Sequence, residues 1–442
     1  MSRLPKFLVI FFILPFTIYG QISLEMAWEK AIMNAPLIKE KENEVQIAEI
    51  EFRLSEKRRY PVIDAQYSNI FNLGRSIDPY SNQYLSQSIL GNNFGISATY
   101  TLFNGGLTKE EIERSHKLLK ISGYAFSHEI NEIKLQILLT FTEVLLAQDQ
   151  INLLTGQKEA AQNQLMYFEK LYLEGRQRYF SLESLRAEIL NYQLRIIDAE
   201  KELNLSKNRL SSYTSIPLNE IKVLEPFSSK SKFKISSQNI ALVGSALYHL
   251  PEISSFQIRQ SIKQHELKIA HARRLPEISA ILNLGTTYSS VAQTIENNEL
   301  IGIPYANQLW GNMNMASGIV VRVPIFNKTN YKENKSKIKL EQELLNAQLA
   351  SAKLEVNTYI QEAVIQYAGF LEKMKTMESR IIALKDLFEI AELGFQEGRM
   401  DLTEYLQSKR TYEEALLQMN QVNHQIALQE KILNFYQTGL WQ

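Results

Sequence analysis

The apolar positions between Leu107 and Tyr213 fall into two long helical rows with one interruption. In the second row, Leu182, Leu185, Ile189, Tyr192, Ile196, Ala199, Leu203, Ser206 and Leu210 alternate spacings of three and four. A sustained heptad of this kind predicts a left-handed supercoil against neighbouring helices. The first row carries Ile130, Ile133, Ile137, Thr140, Val144, Ala147, Ile151 and Leu154 in the same register, with Leu138, Phe141 and Leu145 beside it. A two-stranded coiled coil needs one seam. Two seams place a neighbour on each side, as in a ring of helices; an ordinary bundle core is the simpler alternative. No proline interrupts the stretch. The pattern predicts helices from about Leu107 to Tyr172 and from about Ser181 to Tyr213, joined by a tight turn at Leu173-Glu174-Gly175-Arg176-Gln177. At helical rise the first would be about 100 Å long, several times the diameter of a compact domain.

Before this stretch the period changes. Ile22 to Arg59 reads as a helix containing Pro36, ended by Pro61. Ile63, Ala65, Tyr67, Asn69, Phe71 and Leu73 then alternate with mostly polar residues, and Phe94, Ile96, Ala98, Tyr100 and Leu102 alternate with Gly95, Ser97, Thr99 and Thr101. An apolar face opposite a small polar face, over about ten residues, is the signature of a transmembrane β-strand. The polar loop from Gly74 to Asn93 would face outside the cell. Phe103-Asn104-Gly105-Gly106 turns the chain into the first long helix.

After Tyr213 comes an irregular linker, and then the order repeats. Ala35-Pro36 matches Leu250-Pro251, and Arg58-Arg59-Tyr60-Pro61 matches Arg273-Arg274-Leu275-Pro276 at the same offset. Ile278, Ala280, Leu282, Leu284 and Tyr288 predict a third strand; Ile319, Val321, Val323 and Ile325 predict a fourth. Phe326-Asn327 matches Phe103-Asn104, Glu397-Gly398-Arg399 matches Glu174-Gly175-Arg176, and Tyr436 matches Tyr213, all at one slightly larger offset. The heptad returns in Tyr405, Ser408, Tyr412, Ala415, Met419, Val422, Ile426, Gln429 and Leu433. A constant offset over so long a stretch points to an internal duplication. The expected division is a signal peptide at 1–20, repeats at 21–214 and 236–442, and a linker at 215–235.

Composition narrows the function. The chain is 45% hydrophobic and 22% charged with zero net charge, as expected of a folded protein. No basic excess points to nucleic acid. The lack of cysteine removes disulfides, thiolate metal sites and cysteine nucleophiles. At the N-terminus, Arg3 and Lys6 precede an apolar run from Phe7 to Ile18 and then Tyr19-Gly20-Gln21. This reads as a secretory signal peptide cut after Gly20, because the run is short of the roughly 20 residues a spanning helix needs. No later stretch is apolar enough to cross a bilayer as a helix, so entry into a membrane requires a β-barrel.

Four strands cannot close a barrel, and an open edge in lipid leaves unpaired N–H and C=O groups. The barrel must be shared between chains. Two copies give eight strands, a size filled by side chains; three give twelve, the smallest with room for a lumen. In each half the two short helices stack beside the long one as two staves. Twelve staves about 10 Å apart enclose a bore on the order of 25–30 Å. The expected fold is thus a mixed α and β membrane protein, a long coiled-coil α-helical barrel with four transmembrane β-strands per chain.

Leu24 to Leu37, Phe94 to Gly106, Arg273 to Gly285 and the paired Glu-Gly-Arg turns, set in this duplicated order, resemble the TolC-type outer-membrane efflux channel family along essentially the whole mature chain. The resemblance implies a homotrimer with a twelve-stranded barrel in outer-membrane lipid. It also implies a periplasmic helical tunnel with a tip closed at rest, opened by a periplasmic adaptor (membrane fusion) protein and an inner-membrane transporter. It implies no cofactor. A secreted, elongated coiled-coil scaffold or adaptor is the competing reading.

The candidate functional residues are those of the two turns. Glu174, Gly175, Arg176 and Arg178 lie in one, and Glu397, Gly398, Arg399 and Asp401 in the other. They are expected at the tunnel tip, in contact with the adaptor. The glycines suit the φ > 0 cap of a tight helix hairpin, which explains them structurally as well. Glu389 and Glu392, with Glu397 and Asp401, would form a threefold carboxylate constriction at the entrance; an Arg399–Asp401 ion pair is the plainer account. Asp64 and Arg322 would line the lumen if they fall on the polar strand faces. The six histidines show no ligand spacing and read as surface residues. No nucleophile, base or metal set converges, so no enzyme is expected.

Overall fold

A computed structural model describes residues 22–78, 82–221, 239–296, 299–325 and 331–441. The expected signal peptide, Phe326-Asn327 and most of the linker lie outside the described residues. The chain forms two compact units, each drawing on both halves of the sequence.

The first unit comprises residues up to 41, 126–251 and 352–442 and is helical. The reading of one helix over Ile22–Arg59 is corrected here. Helix α1 (Leu24–Asn34) ends at Ala35, and α2 (Pro36–Lys57) starts afresh. Proline has no N–H to donate and biases the residue before it to extended backbone; Ala35 adopts φ −64°, ψ 125°. The same break separates α5 (Asn239–His249) from α6 (Pro251–Ala272). The long helices are α3 (Leu107–Leu173), α4 (Tyr179–Thr214), α8 (Tyr331–Gln396) and α9 (Leu402–Thr438). The heptad rows are the core. Ile133, Ile137, Thr140, Val144 and Leu154 of α3 are buried, as are Leu182, Leu185, Tyr192, Ile196 and Leu210 of α4. The extra row Leu138, Phe141 and Leu145 packs with Leu24, Ala27, Trp28 and Ala31 of α1. None of the described helices is long and apolar enough to cross a membrane.

The second unit comprises residues 42–125 and 252–351 and holds the sheet. Strands β1 (Val62–Asn72), β4 (Ile89–Phe103), β5 (Glu277–Ser289) and β8 (Asn314–Arg322) run antiparallel in the order β1-β4-β5-β8. Register aligns the faces across the sheet. Ala65 pairs with Ile96, Ile96 with Leu284, and Leu284 with Met315, giving one apolar face. One position along, Asp64, Ser97, Asn283 and Ala316 align on the other, so Asp64 lies on the polar face. Arg322 also lies there, opposite Glu277 with 3.9 Å between their charged groups.

Three strand readings are corrected. β4 begins at Ile89 rather than Phe94, because Asn92 and Asn93 hide the alternation. The Asn92 amide donates to Tyr67 Oη at 3.2 Å and pairs normally in the ladder. β8 stops at Arg322, short of Val323 and Ile325. The next partner on β5 would be Pro276, which has no N–H for a ladder bond. The loops between strands also carry structure: β2 (Arg75–Ile77) pairs with β3 (Tyr84–Ser86), and β6 (Gln293–Glu296) with β7 (Glu299–Gly302). Helix α7 (Tyr305–Gly311) then folds against β5. Buried Gln308 accepts from Ser289 N at 2.8 Å and donates to Ser289 O at 3.0 Å, replacing a strand partner beyond the start of β8.

Candidate functional site

Both inter-helix turns lie in the helical unit and close in the same way. At the end of α3, Gly175 N donates to Tyr172 O at 2.9 Å and Arg176 N to Leu171 O at 2.8 Å. At the end of α8, Gly398 N donates to Phe395 O at 3.1 Å and Arg399 N to Gly394 O at 2.8 Å. This double bond pattern is a Schellman cap, which needs a left-handed residue; Gly175 has φ +75° and Gly398 φ +73°.

The next helices start differently. Asp401 accepts from Glu404 N at 2.9 Å and so caps α9. It is not the partner of Arg399, whose guanidinium lies 3.1 Å from Glu397. Arg178 stands at the cap of α4 without a side-chain cap, and Gln177 Oε1 accepts from Arg178 N at 3.0 Å instead. Arg176 pairs with Glu174 at 3.4 Å. These turn pairs are solvent-exposed, and such pairs hold little energy.

Behind the turns an apolar cluster joins the two hairpins. Phe168 of α3 stacks on Phe395 of α8 with centroids 5.5 Å apart, and Phe395 stacks on Tyr405 of α9 at 5.2 Å. Leu182, Leu185, Leu402 and Leu406 complete it. An open cleft of about 1290 Å³ lies against this cluster. Arg176, Arg178, Glu392, Gly398, Arg399 and Asp401 all line it, so residues from both turns converge on one surface. Glu174, Gly175, Glu389 and Glu397 are not in its lining; Glu389 is 3.6 Å from Lys385. Burial, and then the charge of Glu392, hold the Tyr405 hydroxyl above its ordinary range.

A buried polar layer went unrecognised in the sequence. Tyr192 Oη of α4 donates to Glu413 Oε2 of α9 at 2.8 Å, and Lys409 Nζ lies 3.9 Å from Glu413 Oε1. Buried Glu188 faces the same group. Burial pushes Glu413 above the usual carboxylate range, against the opposing hydrogen bond from Tyr192 and the charge of Lys409. The available signal was adjacency to the seam: Glu188 precedes Ile189, Lys409 follows Ser408, and Glu413 follows Tyr412. The surface reading of the histidines also fails for two of them. His424 Nε2 is 2.8 Å from Asp149 Oδ2, and His265 Nδ1 is 2.6 Å from Glu110 Oε2, with both histidine side chains largely buried.

Comparison with known proteins decides what this geometry belongs to. The profile of the outer membrane efflux protein family matches residues 27–215 and 242–436. The chain belongs to the outer membrane efflux protein family. It is an outer-membrane export duct with its helices in the periplasm. The family is one of efflux proteins, not of enzymes, and membership does not favour the secreted-scaffold reading.

Solved structures share the fold at low identity. The Campylobacter jejuni CmeC outer membrane channel superposes with a TM-score of 0.76 at 18% identity, covering 95% of this chain and 86% of that one. The outer membrane protein VceC from Vibrio cholerae gives 0.73 at 15%, covering 94% and 95%. The open state of the Neisseria gonorrhoeae MtrE outer membrane channel gives 0.70 at 15%, covering 94% and 88%. No curated protein sequence matches this chain.

Proposed function

We propose that three copies of this chain share a twelve-stranded barrel above a helical tunnel, and that the assembly exports substrates handed on by a periplasmic adaptor and an inner-membrane transporter. The observation that carries this reading is the sheet. Among the described residues, β1 and β8 have no strand on their outer sides. Both are nearly exposed throughout and apolar on one face. Open edges of this length are unstable in lipid unless paired, and a second copy's edge is the simplest partner. In the mature chain the repeats 21–214 and 236–442, joined by the linker 215–235, would each supply two strands after removal of residues 1–20. In this reading Glu174, Gly175, Arg176, Arg178, Glu397, Gly398, Arg399 and Asp401 form the adaptor-facing tip, and Glu389 and Glu392 border its entrance.

The chain has no cysteine of its own, so engineered pairs report cleanly. Variants carrying one cysteine in β1 and one in β8 of the same chain should, at facing positions, give oxidised trimers on denaturing gels. Monomers at every combination would sink the shared barrel.

A further inference from the structure

We propose that a cleft in the sheet-bearing unit binds the phosphate headgroup of an anionic phospholipid of the periplasmic leaflet. The cleft measures about 330 Å³ and lies between α6 and α8. Lys263, Arg273, Arg274 and Lys337 line it against two carboxylates, Glu266 and Glu341. It therefore keeps an excess of positive charge after internal pairing.

The pairing is uneven. Lys263 Nζ is 2.9 Å from both Glu266 and Glu341, which occupies those carboxylates. Lys337 is exposed and reaches Glu341 only at 3.9 Å. Arg273 reaches Glu111 only at 3.8 Å. Arg274 has no carboxylate within ion-pair distance among the described residues. Its guanidinium lies over the Tyr331 ring, 4.7 Å from the centroid. A cation–ring contact of this kind consumes no N–H donor, and the guanidinium N–H fork is the part that grips phosphate oxygens.

Position matches the ligand. Arg273 and Arg274 sit between the end of α6 at Ala272 and the start of β5 at Glu277. At strand rise Arg274 is about 10 Å from the first strand residues. The apolar face of β5 starts at Ile278, so the cleft lies at headgroup depth beneath it.

The sequence duplicates the arginine pair as Arg58-Arg59, yet the cleft beside Arg58 differs. There Arg58, Arg114 and Arg273 meet Glu51, Glu111 and Glu266. Arg58 pairs with Glu111, and Arg114 lies 3.3 Å from Glu266. The lining of that cleft holds as many carboxylates as arginines, whereas four cations face two carboxylates in the cleft at Arg274.

The test is a thermal titration of the purified protein in neutral detergent with phosphatidylglycerol, phosphatidylcholine or inorganic phosphate. Phosphatidylglycerol should raise the melting temperature of the wild type more than phosphatidylcholine does. Its apparent affinity should fall about thirtyfold in Arg273→Ala/Arg274→Ala and about fivefold in Lys337→Gln. Lys337 is exposed, so its variant keeps the test open if the double variant does not fold. Equal affinity in the wild type and Lys337→Gln overturns the assignment. So does an equal temperature rise with inorganic phosphate, which would make this a site for free anions.

Discussion

Glu413 is a carboxyl group whose ionisation the fold opposes. Burial raises its pKa, while Tyr192 and Lys409 oppose the shift only in part. The folded form therefore binds a proton more tightly than the unfolded chain. Its contribution to stability is fullest below the ordinary carboxylate pKa and is lost as pH rises through the raised value. Tyr192 and Glu188 of α4, Arg195 beyond them and Lys409 on α9 are the ionisable groups that act on it. Melting temperature followed against pH should fall across that window in the wild type and stay flatter in Glu413→Gln. Parallel profiles for the two proteins would refute the role of Glu413. Gly105 shows a different constraint at this scale. Its φ is +66°, and an added Cβ would stand 2.7 Å from Leu275 Cδ1, so it needs both glycine's backbone freedom and its missing side chain. At Gly175 only the backbone demands glycine, because nothing lies within 4 Å of the added atom.

Helix α4 presents two apolar rows with opposite fates. Leu185 is fully buried in the heptad seam. Leu190, Leu194 and Ile197, at helical spacing on another side, are mostly exposed in the single chain. Leu185→Ala should cost about 2–5 kcal/mol in unfolding free energy, as expected for a filled core site. Leu194→Asp should leave the fold of the chain intact by circular dichroism and reduce the trimer fraction in detergent by light scattering. A full trimer in that variant would show that the exposed row is not a contact between copies.

For the whole molecule, the proposed tip makes the turn residues the surface to test. Arg176 and Arg399 line one cleft with Arg178 and Asp401, and neither forms a buried ion pair. Reversing their charge therefore changes the surface offered to a partner at little cost to the fold. Arg176→Glu/Arg399→Glu should retain trimer and outer-membrane insertion while cellular efflux falls, on the order of tenfold for a lost interfacial contact. Normal efflux from a normal trimer would remove these residues from docking and gating.

Local periodicity determined much of this protein. The heptad rows of α3, α4 and α9 appear in the structure where the spacing placed them, because a seam repeats within each helix. The glycine turns were legible for the same reason, since a left-handed cap is a property of a few successive residues. The break that Pro36 makes between α1 and α2 was hidden by an apolar pattern that continues across it as one helix. Other features depend on residues distant in the chain. The end of β8 is set by Pro276 on its neighbour, and the start of β4 by pairing that carries two asparagines. Tyr192 meets Glu413, and Glu110 meets His265, only after the two halves of the sequence pack together. A polar residue beside a seam has no assigned partner until that packing occurs. The tertiary structure alone also decided that turn residues from both halves line one cleft, and that Arg274 lies over the Tyr331 ring in a cleft it shares with Lys337.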